Sequence, residues 1–329
     1  MARNTRRSNG KKKLQPAVMQ MMFIVPANST SYIDLALAAS IVNRRAYKQE
    51  NMSYAVSRFE LLKPPESEQD GVVSIFKMPE TWVYDNAYQK GRALWHKMNE
   101  QVLDTEPSIK GKYSDFKIYM DIAHTVETIQ DQTNPTGRIL TPVTAGEIPT
   151  EADFSGTGTV RADWNYSQVT IPNVALTTSE DYYLTGTQYD TPTTKSLIHG
   201  YALSRSRPQT QDPNIPADIG WMTDLFDDGN QLEDLREIIE DDNDRPPYAV
   251  GPHGDTDEYY PGGALEFNGL QIHSACNFTP SSVSNKNTIM GGMFQNGLIQ
   301  VNNTVDVAMT MILHMMPGTY RGYLAEEMD

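Results

Sequence analysis

The 329-residue chain has a single cysteine, Cys276, so it can form neither an internal disulfide nor a cysteine metal cluster. Long apolar runs are missing as well. No stretch approaches the roughly eighteen consecutive apolar residues of a membrane span, and no membrane partner is expected. Motifs that cradle phosphate or activate a nucleophile are also absent. Gly156-Thr157-Gly158 has no third glycine at the required offset and no helical pattern after it, and no G-x-S-x-G elbow occurs. The six histidines, His96, His124, His199, His253, His273 and His314, include no pair at metal-ligand spacing. His96, beside a tryptophan in a helical pattern, and His314, in a strand pattern, read as structural or surface residues. Cys276 lies midway along a strand pattern and reads as a small core residue rather than a nucleophile. The expectation is a protein that is not an enzyme.

Positive charge is scarce: 27 Lys and Arg face 42 Asp and Glu, a net charge of −15. Six of those cations, Arg3, Arg6, Arg7, Lys11, Lys12 and Lys13, crowd into the first thirteen residues among Ser, Asn, Thr and Gly. Residues 14–329 are left with 21 cations against 42 acids, or about −21. A segment so polar cannot bury enough surface to offset its ordering entropy, so residues 1–13 are expected to form a disordered basic arm drawn to polyanions. It has no apolar h-region after it and does not read as a secretory signal. A nuclear-localisation patch and a solubilising terminus are other readings of the same arm.

The acids gather too: Asp224, Asp227, Asp228, Glu233, Asp234, Glu237, Glu240, Asp241, Asp242 and Asp244, then Asp255, Asp257 and Glu258. One reading is a solvated helix face and loop. The other is Ca²⁺ held by oxygens on acidic loops, although EF-hand spacing is not met. Glycoside cleavage needs two carboxylates at a fixed separation, and the sequence singles out no such pair. Trp164, Tyr166, Tyr182, Tyr183, Trp221, Tyr259 and Tyr260 rim these loops as packing residues or as platforms for sugars.

Periodicity gives the architecture. Val18 to Val25 is an apolar run, and Ile33, Leu35 and Leu37 continue in strand phase after a turn at Ala27-Asn28-Ser29. Met52 to Leu62 reads as a strand with Ala55, Phe59 and Leu61 on one face, and Val72 to Lys77 as another. Tyr84, Ala87, Tyr88, Gly91, Trp95, Met98 and Val102 form a helical stripe between Pro79 and Pro107. Phe116 to Ile122 alternates, residues 125–163 look like a surface excursion, and residues 163–171 and 182–189 are further strands. A second helix is expected over 215–241, a strand over 269–278, and a strongly alternating one over 305–316. These features predict an all-β, eight-stranded antiparallel jelly-roll sandwich over residues 14–329. Two inserted helices and long loop insertions at about 80–106, 125–163 and 190–262 complete it.

The arm Arg3-Asn4-Thr5-Arg6-Arg7 with Lys11-Lys12-Lys13 runs straight into an apolar strand. Ile41-Val42-Asn43-Arg44-Arg45-Ala46-Tyr47-Lys48-Gln49 then precedes the strand Met52–Leu62. With Asp241-Asp242-Asn243-Asp244-Arg245-Pro246-Pro247-Tyr248, these segments resemble the single-jelly-roll capsid proteins of small icosahedral viruses. The most similar group is that of circular Rep-encoding single-stranded DNA viruses. The resemblance implies a structural virion protein that assembles with about 60 copies of itself, or a multiple, into a closed shell. It also implies packaging of a genome, single-stranded DNA, through the arm, with Arg44, Arg45 and Lys48 adding phosphate contacts. Those three also read as a polar turn between strands. The charge departs from the family, many members of which are strongly basic. The rival reading is a jelly-roll carbohydrate-active enzyme or a carbohydrate-binding β-sandwich, which leaves the arm without a role. A Ca²⁺ role for the acidic belt predicts that chelator loosens assembled particles. Particles whose size by light scattering ignores chelator leave only the solvated face.

Overall fold

The structure, a computed structural model, describes residues 15–64, 70–109, 115–130, 136–143, 164–170, 179–185, 194–205, 269–279 and 285–328. The basic arm, the acidic belt with its expected helix over 215–241, and much of the 125–163 and 190–262 insertions lie outside them. Strands β1 (Gln20–Val25) and β2 (Ser29–Asp34) lead into helix α1 (Leu35–Asn43), and β3 (Met52–Leu62) and β4 (Gly71–Lys77) into α2 (Trp82–Thr105). Next come β5 (Tyr119–Asp121), α3 (Ile122–Val126), β6 (Gln168–Thr170), β7 (Ser179–Thr185), β8 (Thr194–Ser196) and α4 (Leu197–Arg205). The chain closes with β9 (Gln271–Phe278), β10 (Lys286–Gln295), β11 (Leu298–Asn303) and β12 (Met309–Met315). The short β13 (Pro317–Gly318), β14 (Gly322–Tyr323) and β15 (Ala325–Glu327) follow.

Two antiparallel sheets face each other. One has the order β1-β12-β3-β10, with β15 beside β3, and the other β2-β11-β4-β9. Successive strands β1 to β4, and again β9 to β12, therefore alternate between the sheets. Phe23, Phe59, Leu61, Met311 and Leu313 from the first sheet meet Ile33, Val73, Ile75, Ile299 and Val301 from the second in one buried core. The protein is thus a β-rich sandwich, as its alternating patterns predict. A third, mixed sheet of β5 to β8 packs with α2 and α4 around a second core containing Tyr84, Tyr88, Phe116, Ile118, Tyr182 and Leu184.

The two ends of the sandwich differ. At one end four connections, β1–β2, β3–β4, β9–β10 and β11–β12, lie together, braced by Asn28 Nδ2 on Asp306 at 2.7 Å and by Thr304 against Val72. The opposite end carries α1, the start of α2, the β10–β11 turn, and the segments entering β1 and leaving β12. Glu50 ties α2 to this end. Its carboxylate receives Arg92 Nε and His96 Nε2, each at 2.5 Å, and the Phe116 amide at 3.2 Å.

Several local patterns resolve differently from expectation. Leu35 and Leu37 do not extend β2, because the Asp34 side chain accepts the Ala36 and Leu37 amides at 2.9 and 3.2 Å and starts α1 there. Asp121 does the same for α3, so the strand expected over 116–122 pairs only at Tyr119–Asp121, although Phe116, Ile118 and Met120 are buried as alternation demands. In β3 the core side runs Met52, Tyr54, Val56 and then Phe59, Leu61, because β3 carries an extra residue, Ser57, opposite β12; Ala55 is buried but faces away from that core. Part of the expected surface excursion is interior. Arg138 and Leu140 exchange backbone hydrogen bonds with Tyr32 at 2.6 and 2.7 Å, and Ile139 and Leu140 are buried along the β2 edge. The strand expected from Val305 starts at Met309, since the Asn303 side chain accepts the Val305 amide and bends the chain.

Glu50 sets a stability prediction. Burial alone would raise its carboxyl, but hydrogen bonds from His96, Arg92 and the Phe116 amide hold it below the usual glutamate value. A depressed acid contributes stability above its unfolded pKa and loses it as pH falls through the folded value. Glu50→Gln is expected to lower unfolding stability by about 2 kcal/mol at pH 7. The gap to the unsubstituted protein should close as pH drops below about 4.5 in denaturant titrations.

Candidate nucleic-acid interface

Helix α1 ends at Arg44, which is exposed and held in the left-handed region at φ 51°. The chain then turns through Arg45, Tyr47 and Lys48 before entering β3. The β13–β14 hairpin comes against this turn from the other terminus. The Tyr47 hydroxyl donates to the Arg321 carbonyl at 2.9 Å, and the Lys48 amide donates to the Tyr320 hydroxyl at 3.1 Å. Tyr47 stands at a 71° angle to the Tyr320 ring, with centroids 6.0 Å apart. The Arg321 guanidinium lies 6.0 Å from the Tyr47 ring centre and 5.8 Å from that of Tyr320. Burial raises the Tyr47 hydroxyl pKa, opposed by Arg45 and Arg321, so the ring stays neutral.

This corner holds the place where the basic arm joins the body. Arg45 donates to Gln15 Oε1 at 2.9 Å and to the Pro16 carbonyl at 3.0 Å. The Val18 amide donates to Asn43 Oδ1 at 2.9 Å, Asn43 Nδ2 donates to the Tyr323 hydroxyl at 2.7 Å, and that hydroxyl donates to the Val18 carbonyl at 2.5 Å. The two segments are therefore joined through side chains of α1 and β14.

The described cations divide by whether a carboxylate lies against them. Arg58, Lys77, Arg92, Lys117, Arg138, Lys195 and Lys286 each have a carboxylate partner. Arg44, Arg45, Lys48 and Arg321 have none among the described residues; nor do the exposed Lys90, which lies over the Tyr201 ring, and Lys97, both on α2. In a chain whose residues 14–329 carry about −21, the turn after α1 and the β13–β14 hairpin bring four cations without a carboxylate partner to one corner, the kind of grouping that a phosphate-binding patch needs. Backbone strain coincides with it. Among the described residues, those other than glycine at positive φ are three asparagines, which tolerate that region, and two arginines, Arg44 and Arg321, both here.

Of the three body cations expected to meet phosphate, Arg44 and Lys48 are exposed, whereas Arg45 is occupied with the root of the arm. Arg321 was not legible as a member. It lies 273 positions from Lys48 in the chain, and only the Tyr320-Arg321-Gly322 turn composition hinted at it. Arg3, Arg6, Arg7, Lys11, Lys12 and Lys13 lie outside the described residues, as do the acidic loops considered for Ca²⁺. Among the described residues no three His, Cys, Asp or Glu side chains gather as for a metal ion. Burial drives the His124 pKa down to about 3, so this ring, stacked on Tyr32, is neutral, and it pushes the Cys276 thiol up to about 11. No helix among the described residues is long and apolar enough to cross a membrane.

Arg44 separates stability from binding. A left-handed conformation costs a side-chain-bearing residue about 1 kcal/mol relative to glycine. Arg44→Gly is therefore expected to raise the unfolding free energy by up to about 1 kcal/mol while weakening nucleic-acid binding. Thermal unfolding and a filter-binding titration on the same preparation check the opposite signs.

The chain matches no family model, no curated protein and no solved structure.

Proposed function

We propose that this chain is a shell-forming structural protein. Its sandwich is an eight-stranded antiparallel jelly roll, and many copies enclose a nucleic acid, in a virion, with the arm and the corner turned towards it. The jelly-roll assignment is supported by strand order. Numbering β1 to β4 and β9 to β12 as one to eight, the sheets run 1-8-3-6 and 2-7-4-5, with successive strands changing sheet except between four and five, which pair with each other. Two interleaved Greek keys have this pattern, and the architecture is common in capsid and lectin domains. The insertion between the fourth and fifth strands, residues 78–270, leaves that order intact.

Fold alone does not choose between a shell and a sugar-binding module. The observation that carries the functional reading is that Gln15 and Pro16, which follow the six-cation segment in the chain, are held by Arg45 at a corner where Arg44, Lys48 and Arg321 also have no carboxylate partner among the described residues. Sequence-independent attraction to a phosphate backbone needs little more than that. A carbohydrate module has no use for it. The proposed ligand is a single-stranded genome, and the proposed partner is the chain itself.

Size-exclusion chromatography with electron microscopy of the expressed full chain is expected to show megadalton particles, which persist when residues 2–13 are removed. For single-stranded DNA, the arm's six cations are expected to give a log–log salt slope of about −4, lost on that removal. A monomer with salt-insensitive binding would sink the proposal.

A further inference from the structure

We propose that Asp34 is a proton-operated junction: on protonation its Oδ2 passes from Gln49 to Tyr166, and the segment entering β5 loosens from the helix-bearing end of the sandwich. The junction is independent of what the chain encloses, because it is built only from contacts inside one molecule.

Asp34 is fully buried, and both of its carboxylate oxygens face donors. Oδ1 accepts the Ala36 and Leu37 amides at 2.9 and 3.2 Å. Oδ2 accepts Gln49 Nε2 at 3.0 Å and the Tyr166 hydroxyl at 3.5 Å, the longest of the four contacts. A proton added to either oxygen needs an acceptor, and three of the four neighbours are N–H groups that can only donate. The Gln49 amide is not free to turn its oxygen round. Its Oε1 accepts the Ile118 amide at 2.7 Å, while Nε2 also donates to the Ile118 carbonyl at 3.2 Å. Tyr166 alone can reverse its role, since a hydroxyl both donates and accepts. Its ring is stacked on Tyr119 with centroids 3.9 Å apart, which keeps it in place to receive the proton.

The cost falls on Gln49. It holds both backbone groups of Ile118, as a neighbouring strand would, and its bond to Asp34 is what fixes the side chain that does so. When that bond weakens, the Ile118 contact loses its anchor. The loosening is local, because Phe116, Ile118 and Met120 belong to the second core and the two large sheets meet in the first. The titratable groups facing Asp34 are Lys117 and Asp115 on the same segment, Tyr166 before β6 and Tyr54 on β3; α1 carries no charged side chain. Burial outweighs the Leu37 amide, Gln49 and Lys117, and places the change at about pH 6. An acid whose folded-state pKa is raised takes up its proton before the unfolded chain does. Acidification through that value therefore favours the folded chain as a whole while it loosens this one contact.

The test is hydrogen–deuterium exchange of the full chain, read by mass spectrometry at single amides and corrected for the intrinsic exchange rate at each pH. The Ile118 protection factor is expected to fall about tenfold between about pH 7.5 and about pH 5, the loss of one hydrogen bond. Amides of the central strands β3 and β12 should hold their protection over the same range. Asp34→Asn puts an N–H group where the protonated oxygen would be, so Ile118 protection should be low at both pH values. Tyr166→Phe removes the acceptor but keeps the ring on Tyr119. The midpoint should then move to lower pH by about half a unit or more, which also covers the case in which Asp34→Asn misfolds. Ile118 protection that ignores pH, a step that survives in Asp34→Asn, or a midpoint unmoved in Tyr166→Phe would each overturn the junction. So would an equal loss across β3 and β12, which marks general unfolding.

Discussion

Asp34 is the residue on which the geometry of the helix-bearing end depends. Its side chain is wholly buried where β2 must stop, and burial raises its pKa to about 6, opposed by the Leu37 amide, Gln49 and Lys117. One oxygen receives the first amides of α1, and the other receives Gln49 Nε2 at 3.0 Å. Gln49 uses its remaining atoms on the backbone of Ile118, and its carbonyl accepts Asn296 Nδ2. A single carboxylate thus fixes the axis of α1, the approach of the β5 segment and the β10–β11 turn. The N-terminus of α1 partly compensates the desolvated charge. Because the charged form is the penalised one, this residue contributes specificity of geometry rather than stability above about pH 6. The position of Arg44 at the far end of the same helix follows from it.

Strand alternation was the most legible feature, because a sandwich buries one face of each strand and a two-residue period records that directly. β3, β4, β9 and most of β12 stand where their patterns put them. β10 and β11 were not legible. Gly291 and Gly292 interrupt the apolar pattern of β10; a Cβ at Gly291 would collide with the Val56 carbonyl, so the sequence is shaped by backbone proximity rather than by side-chain burial. The cue that was present is Asn296-Gly297, both left-handed at φ 54° and 67°, the residue pair that a tight turn between strands requires. Here it links strands of different sheets. Helix starts at Asp34 and Asp121 override strand periodicity because a capping carboxylate acts on amides two and three residues away, within the span of any period count.

The site was legible in part for a different reason. A run of cations without acids is visible in one dimension, so the arm and the Arg44–Lys48 segment stand out. A corner assembled from residues 44–48 and 320–322 is not visible, since pairing across that distance is a property of topology. What the structure adds is compensation. Lys77 and Arg92 look no different from Arg44 as letters, but each lies against a carboxylate. A charge contributes to a distant polyanion only when no nearer acid has neutralised it.

That distinction bears on whether so acidic a protein could form the proposed shell around a nucleic acid. In a shell of about 60 copies the arms bring about 360 positive charges, and Arg44, Lys48 and Arg321 add about 180. Both together fall short of the phosphates in a genome of about a thousand nucleotides or more, so small cations must screen the remainder. A body of about −21 would repel the enclosed strand if its charge were spread evenly. On the proposed reading, holding residues 15–18 beside a corner whose four cations have no carboxylate partner among the described residues would keep attraction on one end of the sandwich. The paired and acidic surfaces can then face elsewhere. On the proposed reading it is the segregation of charge, rather than its sum, that would let so acidic a chain bind a polyanion.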